Sequence, residues 1–182
     1  MTFTAFTQEQ IGWTPWLEPL TTLNEEQEEA LVDKARAASP YFRLLARDPA
    51  ILHARTKTDN DIFYNADGGL PRAERELAAT AVSRHNGCVF CASVHARFAS
   101  HYSKRTADVQ RLLDDGVSAP QEPLWRAVVD ASVALTAESF SPSHVEALRA
   151  EGLDDLAILD TIQAAAFFNW ANRLMLSLGE PS

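Results

Sequence analysis

The sequence predicts an all-α protein, on three observations. Helix-capping residues precede helical runs at Asn24, Asp48 and Ser141. No stretch sustains two-residue alternation, and the one Asn-Gly pair, at 86–87, separates helical patterns rather than β-branched runs. The segment 154–178 is apolar almost all round, with Leu156, Ile158, Leu159, Ile162, Phe167, Phe168, Trp170, Leu174 and Met175, as at a bundle centre or an oligomer interface.

Residues 1–23 form an N-terminal arm, and residues 24–182 a single all-α domain. In the arm, Phe3, Phe6, Trp13 and Trp16 are too apolar for a free tail, while Pro15 and Pro19 oppose a continuous helix. The arm is expected over its own domain or a neighbouring subunit. Asn24, followed by Glu25 and Glu26, caps a helix expected to run to Ser39. A short helix over 41–46 carries Phe42, Leu44 and Leu45. Asp48-Pro49 opens a longer one that carries Ile51, Leu52, Ile62 and Phe63 towards Asn65.

After the turn at 65–69, a helix bearing Glu76 runs to His85-Asn86-Gly87, and a second starts near Cys88. Shorter helices follow from Thr106 to a stop at Asp114-Asp115-Gly116, over 125–135 behind Pro120 and Pro123, and from Ser141 to Gly152.

Charge and hydropathy exclude several function classes. The formal charge of −9, from 25 acidic and 16 basic side chains, disfavours nucleic acid and anionic membrane surfaces. The N-terminus lacks the basic and apolar regions of a secretory signal, and the longest apolar run, Ala164 to Phe168, is far short of the roughly 20 residues that span a bilayer. A soluble, cytoplasmic protein is expected. In a reducing compartment, two cysteines at C-x-x-C spacing read as catalytic or metal-binding rather than as a structural staple.

Those cysteines, Cys88 and Cys91, share one stretch with His95 and Glu76. Cys91 and His95 are i and i+4, about 6 Å apart along a helix axis, close enough for a direct or water-bridged hydrogen bond. Cys88 lies roughly 10 Å from His95 along that axis, so Cys91 is the thiol the imidazole can activate. The start of the helix favours a thiolate. Folding the preceding helix back about 86–87 brings Glu76 near His95 to Arg97, and the small Ala78, Ala79 and Ala81 allow close approach. A carboxylate there orients the imidazole. The expected relay is Glu76 to His95 to Cys91, with Cys88 ready to form a disulfide.

Glu76, Cys88, Cys91 and His95 together make an E-x11-C-x2-C-x3-H pattern that resembles the alkylhydroperoxidase D-like proteins of the carboxymuconolactone decarboxylase superfamily. The resemblance spans about 40–180 and is strongest over 71–102, and the aromatic arm is like that of the longer peroxidase-related subgroup. It implies an oligomeric helical bundle with a catalytic helix hairpin, and an enzyme that reduces alkyl hydroperoxides through a dithiol/disulfide cycle. Cys91 would then be peroxidatic, Cys88 resolving, and Glu76 and His95 the proton carriers, with a hydroperoxide substrate, an external dithiol reductant and no cofactor. One position departs: the best-known peroxidase of the family has a further histidine where this chain has Phe90. True carboxymuconolactone decarboxylases lack the cysteine pair, which argues against decarboxylation.

Alternatives are a disulfide reductase that never meets peroxide, a redox-sensing or binding oligomer, buried core thiols, and a zinc site with three ligands from one helical face and Glu76 or water as the fourth. Ser83 shares the face of Glu76 and is a candidate lining residue. Trp125, Phe167, Phe168 and Trp170 read as core.

Overall fold

In the computed structural model, which describes residues 5–182, helix formation follows local chemistry at most boundaries; Phe3 lies outside the described residues. Asn24 caps α1 (Glu25–Ala30) through a box in which its side chain accepts from the Gln27 amide and Gln27 reaches back to the Asn24 amide. The helix stops there instead of running to Ser39. Val32 turns left-handed (φ 63°), and Asp33 starts a new 3-10 turn, Lys34–Ala38, by accepting from the Ala35 amide. Leu31, fully buried beside Ala30, Ala46 and Leu52 in a small core, fixes that break.

The next helices are α2 (Pro40–Leu45) and α3 (Pro49–Tyr64), the latter capped by Asp48. On α3, Leu52, Ile62 and Phe63 are buried, but Ile51 is exposed. Arg75 ties the following loop down, donating to the Leu70, Ile62 and Asn65 carbonyls.

α4 (Arg72–Asn86) is the central helix. It packs most extensively on α5 (Val89–Ser103), then on α7 (Pro123–Thr136) and on the last helix, α9 (Asp155–Leu178). α6 (Thr106–Asp115) and α8 (Pro142–Ala150) close the outside. α9 buries one side, through Ala157, Ile158, Ala164, Ala165, Phe168, Ala171 and Met175, and leaves Leu156, Leu159, Trp170 and Leu176 exposed. Among the described residues no helix is long and apolar enough to cross a membrane.

The arm lies on its own chain. β1 (Trp13–Pro15) pairs antiparallel with β2 (Gly179–Pro181), Thr14 opposite Glu180, in a two-stranded ladder the sequence pattern does not announce. Trp13 packs edge-on against Tyr41, 5.6 Å between ring centroids, while Trp16 is exposed. Arg43 and Arg47 hold the rest of the arm by its Leu20, Thr21 and Glu18 carbonyls.

Candidate active site

The α4–α5 hairpin depends on Gly87, whose φ of 79° ends α4 in the left-handed cap that glycine adopts without cost. The amides of Gly87 and Cys88 both turn back to the Ser83 carbonyl. From that turn the helices run antiparallel along fully buried alanines: Ala78, Ala79 and Ala81 on α4, and Ala92, Ala96 and Ala99 on α5.

The close approach brings Glu76 against His95, with Nδ1 2.6 Å from Oε2. An ionised carboxylate offers only acceptors, so Nδ1 carries the proton and Nε2 is the basic nitrogen. Glu76 is 1% exposed, and its other oxygen takes Arg72, one turn earlier on α4, whose Nε and Nη2 both lie 2.6 Å from Oε1. Burial works against the Arg72 charge, but the Glu76 carboxylate, with Tyr64 and Tyr102 nearby, holds its pKa above the ordinary value. The guanidinium also stacks 4.2 Å over Tyr64 and 4.9 Å over Tyr102. The imidazole is walled by Phe168, at 4.1 Å, and Phe63, at 5.2 Å.

Cys91 and His95 both line a cavity of about 270 Å³, together with Glu76, Arg72, Phe63, Phe90, Phe98 and Phe168. Cys88 does not line it. It sits behind, at the cap of α5, with non-helical backbone and its Cα 5.4 Å from that of Cys91, and the two sulfurs are joined in a disulfide. The cavity thus meets one member of the pair, next to the histidine. Among the described residues no cluster of three or more His, Cys, Asp or Glu side chains is arranged to hold a metal ion.

Residues 49–134, which contain Arg72, Glu76, Cys88, Cys91 and His95, match the carboxymuconolactone decarboxylase family. Two solved structures share the architecture over nearly its whole length. One is an uncharacterized peroxidase-related protein from Ralstonia eutropha JMP134, described as an alkylhydroperoxidase AhpD core (TM-score 0.75, 22% identity, 93% of this chain and 90% of that one). The other is a peroxidase-related protein from Silicibacter sp. TM1040 (TM-score 0.74, 23% identity, 93% and 94%). The fold is thus that of the AhpD-like, peroxidase-related structures, and the carboxymuconolactone decarboxylase match falls on the helices that carry the site. The debrominase Bmp8 also has this fold (TM-score 0.68, 15% identity, 90% of each chain). No curated protein matches in sequence.

Three site neighbours escape sequence reasoning. Arg72 is four residues before Glu76, an i, i+4 pairing that could have announced it. Phe63 and Phe168 come from α3 and α9, and only the tertiary fold brings them to His95; Phe168, read as core, faces the cavity. Ser83 does not line the cavity. It is buried and accepts from Asn172 at 3.0 Å, within an amide network that joins Asn86, Asn169 and Asn172 across α4 and α9. His85 is exposed, and His144 caps α8.

Proposed function

We propose that this chain is a thiol-dependent oxidoreductase that reduces alkyl hydroperoxides at Cys91. The observation that carries the reading is the buried Glu76–His95 pair on the cavity that Cys91 lines, with Cys88 bonded behind it. Starting from the reduced pair, His95 Nε2 takes the proton of Cys91 Sγ, directly or through a water, since one helical turn separates them. The thiolate attacks the terminal oxygen of the peroxide. An S–O bond forms, the O–O bond breaks, and the departing alkoxide takes the proton back from His95, leaving alcohol and a Cys91 sulfenic acid. The Cys88 thiol then attacks Cys91 Sγ, forming S–S and releasing water. An external dithiol supplies two electrons and two protons to reopen the disulfide, becoming a disulfide itself. Glu76 holds the imidazole in the tautomer this needs, and Arg72 holds Glu76.

Self-assembly belongs to the same proposal: Leu156, Leu159, Trp170 and Leu176 leave α9 with apolar side chains in solvent, which a second copy would cover. Light scattering would show a mass above 20.1 kDa.

The test is peroxide consumption by the reduced protein with a dithiol donor, alongside mass spectrometry after one equivalent of cumene hydroperoxide. Cys91→Ser should abolish turnover and Cys88→Ser should accumulate a sulfenic acid on Cys91; a sulfenic acid on Cys88 would reverse the roles. Because the same fold serves a debrominase, a variant of which is known in complex with 2,3,4-tribromopyrrole, bromide release from that compound is the second arm. Bromide release without peroxide turnover moves the substrate but keeps the thiol chemistry. No turnover of either, with an oligomer that follows redox potential, makes the chain a sensor.

A further inference from the structure

The cavity has a second set of polar groups that the thiol chemistry does not use. On the wall built by α2, α3 and the 3-10 turn before them stand Arg36, Tyr41, Arg55 and Asp59. The Arg55 side chain is only 8% exposed. One oxygen of Asp59 lies 3.2 Å from Arg55 Nη1 and 3.7 Å from Arg36 Nη2, so two guanidiniums share a single carboxylate. Arg36 spends its other donors on the Leu31 carbonyl and Asn60. Arg55 does not: its Nε and Nη1 are buried and, among the described residues, meet no well-aligned acceptor, Asp59 being close but misaligned. The Tyr41 hydroxyl beside it is also buried and, among the described residues, has no well-aligned partner. Burial raises the Tyr41 pKa, Arg55 lowers it in part and Asp59 raises it, so the phenol keeps its proton and remains a donor.

Buried donors without acceptors are costly, and here they are gathered in one place. The guanidinium is fixed between aromatic rings, 5.2 Å from the centroid of Phe42 and 5.3 Å from that of Phe167. Arg72 is neutralised by Glu76, so the cavity is left with one positive charge in excess, against walls of phenylalanine. A carboxylate fits: it brings one negative charge and only acceptors, in the planar fork that arginine matches. The rings call for an apolar body behind it.

We propose that Arg55 and Tyr41 bind the carboxylate of an organic substrate with a small apolar body, Arg36 and Asp59 setting the local charge, while its reactive end meets Cys91. For the reactive end this rests on the peroxidase reading; for the carboxylate it does not.

The test uses the full chain in its disulfide form, with 3-phenylpropionate and its methyl ester as probes in calorimetry at neutral pH. The acid should bind at least about tenfold more tightly than the ester. Arg55→Gln should bring that ratio to about one, and Asp59→Asn should tighten the acid several-fold while leaving the ester unchanged. Equal binding of acid and ester, binding of neither, or an acid preference that survives in folded Arg55→Gln overturns the proposal. If Arg55→Gln does not fold, the wild-type ratio and Asp59→Asn decide it. A carboxylate-bearing hydroperoxide and its methyl ester then separate the two readings. Turnover of both without preference sinks the carboxylate site and leaves the peroxidase; acid-selective binding with no turnover keeps the site and removes the peroxide.

Discussion

Arg72 grips Oε1 of Glu76 at 2.6 Å, the oxygen that His95 leaves alone. A carboxylate that is 1% exposed is stable only while its charge is answered, and Arg72 supplies the fixed counter-charge. His95 is left with Oε2 alone, which fixes the orientation of its ring.

Arg72→Gln therefore tests the relay from behind. It should cost about 3 kcal/mol of stability, because the Glu76 charge is left with one partner. The carboxylate also loses its anchor, and with it the imidazole loses its fixed orientation. The kcat should fall with KM little changed, and an unchanged kcat in a folded variant would show that Arg72 is scaffold only.

Phe168 lies 4.1 Å from the His95 ring and closes one side of it. Phe168→Ala should cost about 3–5 kcal/mol, read by chemical denaturation, as a buried aromatic lost to a void. Phe168→Leu keeps most of the volume and frees the imidazole to tilt. Its kcat should fall roughly tenfold to a hundredfold with KM little changed, since positioning rather than binding is lost.

What could be read in advance was local. The caps at Asn24 and Asp48 and the turn at Gly87 are each specified within a few residues, and two helix arms measured from the 86–87 turn bring Glu76 to within one turn of His95. The cysteine spacing carried the resemblance to the AhpD-like fold. Contacts between distant elements were not legible. The glutamate-rich start at residue 25 promised a long helix, but Leu31 is pulled into a separate small core and Asp33 caps anew. Three-residue strands at opposite ends of the chain leave no alternation to detect. Phe168 and Arg55 look like ordinary helix residues until α9 and α3 are folded against the thiol helix.

The terminal ladder makes Gly179 a sharp test of the arm. A Cβ there would meet Trp13 Cζ2 at 2.4 Å and the Thr14 carbonyl at 2.5 Å, with backbone that cannot yield cheaply. Gly179→Ala should cost about 1–3 kcal/mol by overpacking and lift β1 from β2. Faster protease cleavage within residues 5–23 and loss of amide protection at Gly12 and Trp16, which donate to the Ser182 and Leu178 carbonyls, are the readouts. Because Trp13 backs Tyr41, carboxylate binding should weaken as the arm lifts. Unchanged cleavage would mean that other contacts, such as those of Arg43, hold the arm alone.

Asp108 gives the pH dependence its sign. Its hydrogen bond from Arg105, at 2.8 Å, outweighs partial burial and, with that residue's charge and with Arg111 at 2.9 Å, holds its carboxyl below the ordinary carboxylate pKa. The folded state therefore binds the proton less readily than the unfolded one, so the stabilisation is full above the unfolded pKa of about 4 and is lost as pH falls through the lower folded value. Asp108→Asn should be less stable than wild type in denaturant titrations at about pH 7, and the gap should close at about pH 2. The cluster is partly open to solvent, so added salt should narrow the gap at neutral pH as well. A gap that persists unchanged into acid would assign the loss to packing beside Arg105, which stacks 4.2 Å over Trp125, and not to charge.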